Sequence, residues 1–181
     1  MSNDSRSVAI CEGRPTAVRE LTYDVEILPL CQDSCTSPII TTASEIHKWT
    51  ARLTEHCNRF ATINSLCIST NARLDALTDL DDSVTAWKDQ IPAAHQPGQD
   101  VVADWSSFIL AAPLHLEYFN LVRAIHWACL MSIATNFDAV DDRHRRLLQT
   151  SNMKCLWAAR SFVQTANRFV QPVFRKHTGR D

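Results

Sequence analysis

The chain has 181 residues, 45% of them hydrophobic and 21% charged, with only three glycines and a formal net charge of −2. That length suffices for one domain with a substantial core, and the shortage of glycine weighs against a turn-rich β architecture. The charge balance leaves no basic footprint for nucleic acid or an anionic membrane, so direct binding of DNA by this chain is not expected.

Residues Met1 to Arg14 contain no apolar run of the length a signal peptide needs. The most apolar region, Val101 to Phe137, is interrupted by Asp104, Glu117 and Arg123. Its charge-free runs are shorter than the ~18 residues of a membrane span, so no membrane partner is expected. Seven cysteines, an odd number, argue against a disulfide framework. Cys57, Cys67, Cys129 and Cys155 sit among apolar residues at helical spacing, where a thiol behaves as a small hydrophobe.

Residues 1–40 read as an irregular N-terminal segment and residues 41–181 as one helical bundle. Within the segment, Gly13-Arg14-Pro15 has the chemistry of a structural corner. Glycine opens conformations closed to other residues, proline fixes the exit and the arginine fork binds carbonyls or a carboxylate. Pro29 and Pro38 bracket Cys31 and Cys35 in a turn-forming stretch. Cys31 and Cys35 with His47 fall short of the four ligands zinc requires, so no metal or other cofactor is expected. His56 adjoins Cys57, but neighbours on a helix point about 100° apart, which makes a poor nucleophile pair.

Thr42 and Glu45 have capping-box spacing. After them Ile46, Trp49, Leu53, His56, Phe60, Ile63 and Cys67 form one helical stripe, predicting a helix over 43–69. Leu74, Leu77, Val84, Trp87 and Ile91 predict a second over 72–91, stopped by Pro92. A third, over 113–134, carries Leu114, Tyr118, Leu121, Val122, Ile125 and Cys129, with Pro113 in its first turn or at a kink. The last, over 151–171, carries Cys155, Leu156, Ala159, Phe162, Val163, Ala166 and Val170 and ends before Pro172. The pattern leaves open whether it reaches back through Arg145 to Leu148. The expected class is all-α, an irregular helical bundle.

Asp138, Asp141 and Asp142 have the spacing of a magnesium-diphosphate motif, and Asp79, Asp81 and Asp82 would be its second carboxylate set. The plainer reading of both sets is acidic residues at helix starts. Arg143 to Arg146 reads as a solvated basic face, at most a weak nuclear-import signal. Trp105, His115, Tyr118, His126 and Trp127 fall in or just before one helix and form a candidate ligand pocket. Against that stands the commoner use of aromatics at helical spacing, which is to fill a core.

Several stretches together resemble a known family. Asp4-Ser-Arg-Ser7 leads into Gly13-Arg14-Pro15 and then Tyr23-Asp-Val-Glu-Ile-Leu-Pro29. Leu77, Trp87, Ile91 and Pro92 follow in an L…W-x-x-x-I-P pattern. Leu114-His-Leu-Glu-Tyr118 supplies an L-H-L-x-Y helix, and Cys155-Leu-Trp-Ala-Ala159-Arg-Ser161 a C-x-x-A-A-R helix. In that order they resemble the fungal-specific transcription factor regulatory domain, the middle homology region of zinc-binuclear-cluster regulators. Where the family's central helix continues into L-H-R-P, this chain reads Ile125-His126-Trp127-Ala128, so the helix is expected to run on. The six-cysteine zinc cluster is absent, as are the helices that follow the A-A-R helix in the family.

The resemblance implies a partial version of a larger helical regulatory domain, nuclear, without its own DNA-binding module. It would control transcriptional output through protein partners of the transcription machinery, self-association or a small-molecule effector, not catalysis. An alternative is an enzyme or small-molecule-binding protein repurposed from this scaffold. Apolar stripes carrying Trp49, Phe60, Trp157 and Phe162 are expected to exceed what four helices can cover.

Overall fold

A computed structural model describes residues 38–99 and 105–178, with side chains over 42–99 and 108–170. Gly13-Arg14-Pro15, Cys31 and Cys35 lie outside the described residues. The described part is all-α. It comprises α1 (Pro38–Ser65), α2 (Thr70–Asp89), α3 (Trp105–Thr135), the one-turn α4 (Asp142–Arg145) and α5 (Leu147–Thr178).

α1 begins ahead of the expected Thr42 cap. Pro38 takes its first position, where a missing N–H removes no intrahelical bond. Thr42 therefore lies inside the helix and not at its boundary. The other end comes at Ser65, before Cys67, where the Ser65 hydroxyl and the Asn64 amide donate to the Thr62 and Phe60 carbonyls. Cys67 is consequently exposed in the connection, and not the small core residue expected from its neighbours. Ser69 caps α2 by accepting the Ala72 N–H at 3.3 Å, and the chain leaves the helix ahead of Pro92 as predicted.

α1 and α2 form an antiparallel pair, with Arg52 near Gln90 and Arg59 donating to Ser83. α3 packs on both and lies antiparallel to α2, where Trp87 meets Tyr118. Leu53, Leu74, Leu77, Leu80, Leu114 and Leu121 are fully buried between these three helices. Each contributes about 1.5–3 kcal/mol relative to exposure. Ile46, Phe60 and Ile63 of the predicted α1 stripe join them, with Trp49 half-buried against the cluster.

α3 runs unbroken through Ile125–Ala128 to Thr135, as the loss of the Arg and Pro there predicts. Pro113 is not in the first turn but interior to the helix, the kind of position the kink alternative required. It removes the N–H that would reach the Ile109 carbonyl, and both Ile109 and Pro113 sit on an exposed side where water replaces that bond. Pro113→Ala is therefore expected to raise Tm by about 3–8 °C, given a cost of about 1–3 kcal/mol for an interior proline partly relieved by water. A thermal melt followed by circular dichroism checks this; an unchanged or lower Tm would show that the proline fits without cost.

Phe108–Thr135 is long and apolar enough to cross a membrane by length and composition once Glu117 and Arg123 are tolerated within it, although its charge-free runs stay short of a span. Its apolarity has a simpler source. α3 is central, touching α1, α2 and α5, and most of it is buried.

α5 lies antiparallel along α3, with little against the other helices. Arg168 covers Phe108, Trp157 meets Phe119, and the Cys155 thiol donates to the Arg123 carbonyl. Contrary to expectation, α5 continues past Pro172 to Thr178, and its start at Leu147 excludes Arg145 and Arg146. Its orientation is a larger correction. Of the predicted core stripe, Leu156, Phe162, Val163 and Val170 are exposed, while Ser151 and Ala158 are the residues buried against α3. Small side chains let the helices approach closely, and that outweighs the apolarity of the opposite stripe.

Candidate functional site

The acidic and basic residues read from sequence separate into different environments. Asp141 does start a helix: its carboxylate accepts the His144 N–H at 2.9 Å, and that hydrogen bond holds its pKa below the ordinary carboxylate value. Asp79, Asp81 and Asp82 lie in the middle of α2, not at a helix start. His144 is buried, with Nε2 3.1 Å from Asp75, so Arg143 to Arg146 is not a uniformly solvated face.

Asp81 is the centre of a buried polar cluster joining α2, α3 and α5. His126 Nε2 lies 3.2 Å from its Oδ1, and the Lys154 ammonium donates to its Oδ2. A carboxylate only accepts, so His126 carries a proton on Nε2. Nδ1 faces the Ser151 hydroxyl at 3.3 Å. Burial pushes the Asp81 pKa up, but the hydrogen bonds and charges of His126 and Lys154 outweigh it, and the net effect is a lowered value. Burial drives the nearby Cys129 thiol up to about 12, which keeps it protonated.

Asp81, His126 and Ser151 have the connectivity of an acid–base–nucleophile relay. Ser151 is only 3% exposed, however, and neither described cavity includes any of the three. A serine nucleophile needs an open position for the reacting carbonyl and donors for its oxyanion. The cluster instead works as a tie, linking α5 to α2 and α3 by hydrogen bonds.

The larger described cavity, about 350 Å³, lies between α3, α5 and the Gly98–Gln99 turn. Gly98 has φ +87°, a conformation that favours glycine, and this turn brings the chain against Trp157. Phe108 and Phe119 give the cleft an apolar side. Ser161, Gln164, Thr165 and Arg168, on successive turns of α5, give it hydrogen-bond donors and a positive charge. His115 completes it, with Nε2 donating to the His95 carbonyl at 2.8 Å. Burial lowers its pKa further than that hydrogen bond raises it. The result is a neutral ring with one proton position fixed by the backbone. Among the described residues lining the cleft there is no cysteine, lysine or carboxylate. Donors facing an apolar wall suit reversible binding of a small molecule that carries a carboxylate or carbonyl.

Of the five residues singled out from sequence, the four with described side chains do not converge. His115 lines this cleft, Tyr118 packs against Trp87 and Phe119, His126 belongs to the polar cluster, and Trp127 is 55% exposed. The side chain of Trp105 lies outside the described ones. Ser161, Gln164, Thr165 and Arg168 share one helical face, but a polar stripe reads locally as a solvent-facing one; only the pairing of α5 with α3 sets it opposite Phe119. Asp81 did leave a signal. The stripe from Leu77 to Val84 lacks a turn, and Leu80 and Asp81 fill it, which places a carboxylate on a buried face.

No protein-family model, no curated protein and no solved structure matches the chain.

Proposed function

We propose that this chain is a helical regulatory module of the fungal transcription-factor kind, acting through ligand and protein contacts without catalysis. The observation that carries the reading is the convergence of the three resembling stretches. Trp87, Tyr118, Phe119 and Trp157 form a continuous line of ring contacts with centroids 5.3–6.0 Å apart. Those rings come from, or adjoin, the L…W-x-x-x-I-P, L-H-L-x-Y and C-x-x-A-A-R stretches. His115 and Ser161 of the same stretches line the cleft. The residues of these three stretches thus build one structural unit with a ligand-sized opening at its edge. A nuclear location and partners in the transcription machinery belong to this proposal.

The test is a reporter assay with the full chain fused to an unrelated DNA-binding domain in a fungal strain. The fusion is expected to change reporter output several-fold against the DNA-binding domain alone, and Thr165→Trp, which fills the cleft, to alter that change. Output indistinguishable from the DNA-binding domain alone, with the fusion present at equal abundance, would overturn the reading.

A further inference from the structure

We propose that the outer face of α5 pairs antiparallel with the same face of a second copy of this chain, giving a two-fold symmetric dimer. Met153, Leu156, Arg160, Val163, Asn167 and Val170 follow one another at alternating steps of three and four, and all six are exposed. Met153, Leu156, Val163 and Val170 are 63%, 47%, 55% and 40% exposed. Together they leave roughly 400 Å² of apolar surface in one stripe, as large as the main patch on an ordinary monomer. The spacing is that of a two-helix seam over two and a half heptads.

The stripe is complementary to itself in one orientation. In an antiparallel pair centred between Ser161 and Phe162, Met153 faces Val170 of the partner subunit. Leu156 then faces the partner's Asn167, and Arg160 faces the partner's Val163. Each polar side chain crosses to an aliphatic one, and the arginine stem lies along apolar surface while its guanidinium reaches water. A parallel pair would place Arg160 on Arg160 and Asn167 on Asn167. The flanking residues Asn152, Trp157, Ala159, Gln164 and Ala166 carry no charge, so nothing beside the seam opposes a close approach.

A two-fold axis makes the contact isologous and closed, which accounts for a dimer and not a fibre. A seam of this length buries on the order of 1,000 Å² in total, near the lower limit for a specific interface. The dimer should therefore be reversible and concentration-dependent, and the two Arg160 groups flanking the axis should make it tighter in salt.

Sedimentation equilibrium of the full chain from about 1 to about 300 μM reads this directly, since interfaces of that size sit in the micromolar range. The expected result is a monomer–dimer equilibrium that shifts towards dimer between low and high salt. Val163→Glu, at an exposed position, should abolish the dimer while leaving the helical signal unchanged, with Tm also unchanged at concentrations where the wild type is monomeric. Mixing Met153→Cys with Val170→Cys chains under mild oxidation should yield a 153–170 linked peptide. A 153–153 link should be absent, because those positions lie about 26 Å apart along the pair.

A monomer at every concentration would overturn the proposal. If that monomer also failed to bind a hydrophobic dye, the face would belong to the chain's own residues 1–37. Dye binding by it would assign the face to a different protein. A predominant 153–153 link would replace the antiparallel arrangement with a parallel one and equally refute it.

Discussion

Phe119→Ala is expected to lower Tm by about 8–15 °C, from a cost of about 3–5 kcal/mol for deleting a buried aromatic ring in a domain of this size. Phe119 is 1% exposed and meets the edges of both Tyr118 and Trp157, at 5.3 and 5.4 Å between centroids. It is thus one of the contacts that hold α5 to the three-helix core, and it is a wall of the cleft. The cavity left behind opens into that cleft and water can enter it, so collapse will recover little. Phe162→Ala is the control, since that ring is 37% exposed; its Tm should fall by under about 3 °C. Equal losses for the two variants would mean that Phe119 does not hold α5 in place.

Asp81→Ala is expected to cost about 2–3 kcal/mol at neutral pH, or about 4–10 °C in Tm. The loss falls below that of a fully buried pair because the Lys154 side chain is 44% exposed and water takes over part of its pairing. Buried His126 has no such relief and loses the acceptor of its Nε2 proton, which also leaves the ring that faces Ser151 less firmly oriented. The pH dependence has a definite sign. The folded-state pKa of Asp81 is lowered, so its contribution is fully present above the unfolded carboxyl value and disappears as pH falls through it towards the folded value. The Tm gap between the wild type and Asp81→Asn should therefore be widest above about pH 5 and narrow as acid is added, given an ordinary Asp pKa near 3.9. A gap that stays constant from pH 7 to pH 3 would show that the charge of Asp81 contributes nothing and that only its shape matters.

The all-α class, the stop at Pro92 and the buried faces of α2 and α3 follow from the sequence itself. Leu74, Leu77, Val84, Trp87 and Ile91 are buried, as are Leu114, Tyr118, Leu121, Val122, Ile125 and Cys129. Helical period is a local property; in α2 one apolar face stands out, and in α3 so much of the surface is apolar that the residues at helical spacing were bound to include buried ones. α1 was legible in the same way along most of its length. Its boundaries were not, because Pro38 and the hydroxyl and amide side chains near Ser65 act over only one turn and compete with other plausible caps.

Tertiary structure alone decided the orientation of α5, and with it the lining of the cleft. That helix carries two stripes, one of small and polar residues including Ser151, Ala158, Ser161 and Thr165, the other of Met153, Leu156, Val163 and Val170. Apolarity favours burying the second, as the sequence reading did. Packing against α3 buries the first, because Ser151 finds a partner in His126 and the small residues allow close approach to a helix apolar on several sides. The same choice opens the cleft at Arg168 and His115 and leaves the aliphatic stripe facing outward. Periodicity ranks the faces of a helix by their hydrophobicity; which face is covered depends on the shape and hydrogen-bonding groups of a neighbour far away in the chain.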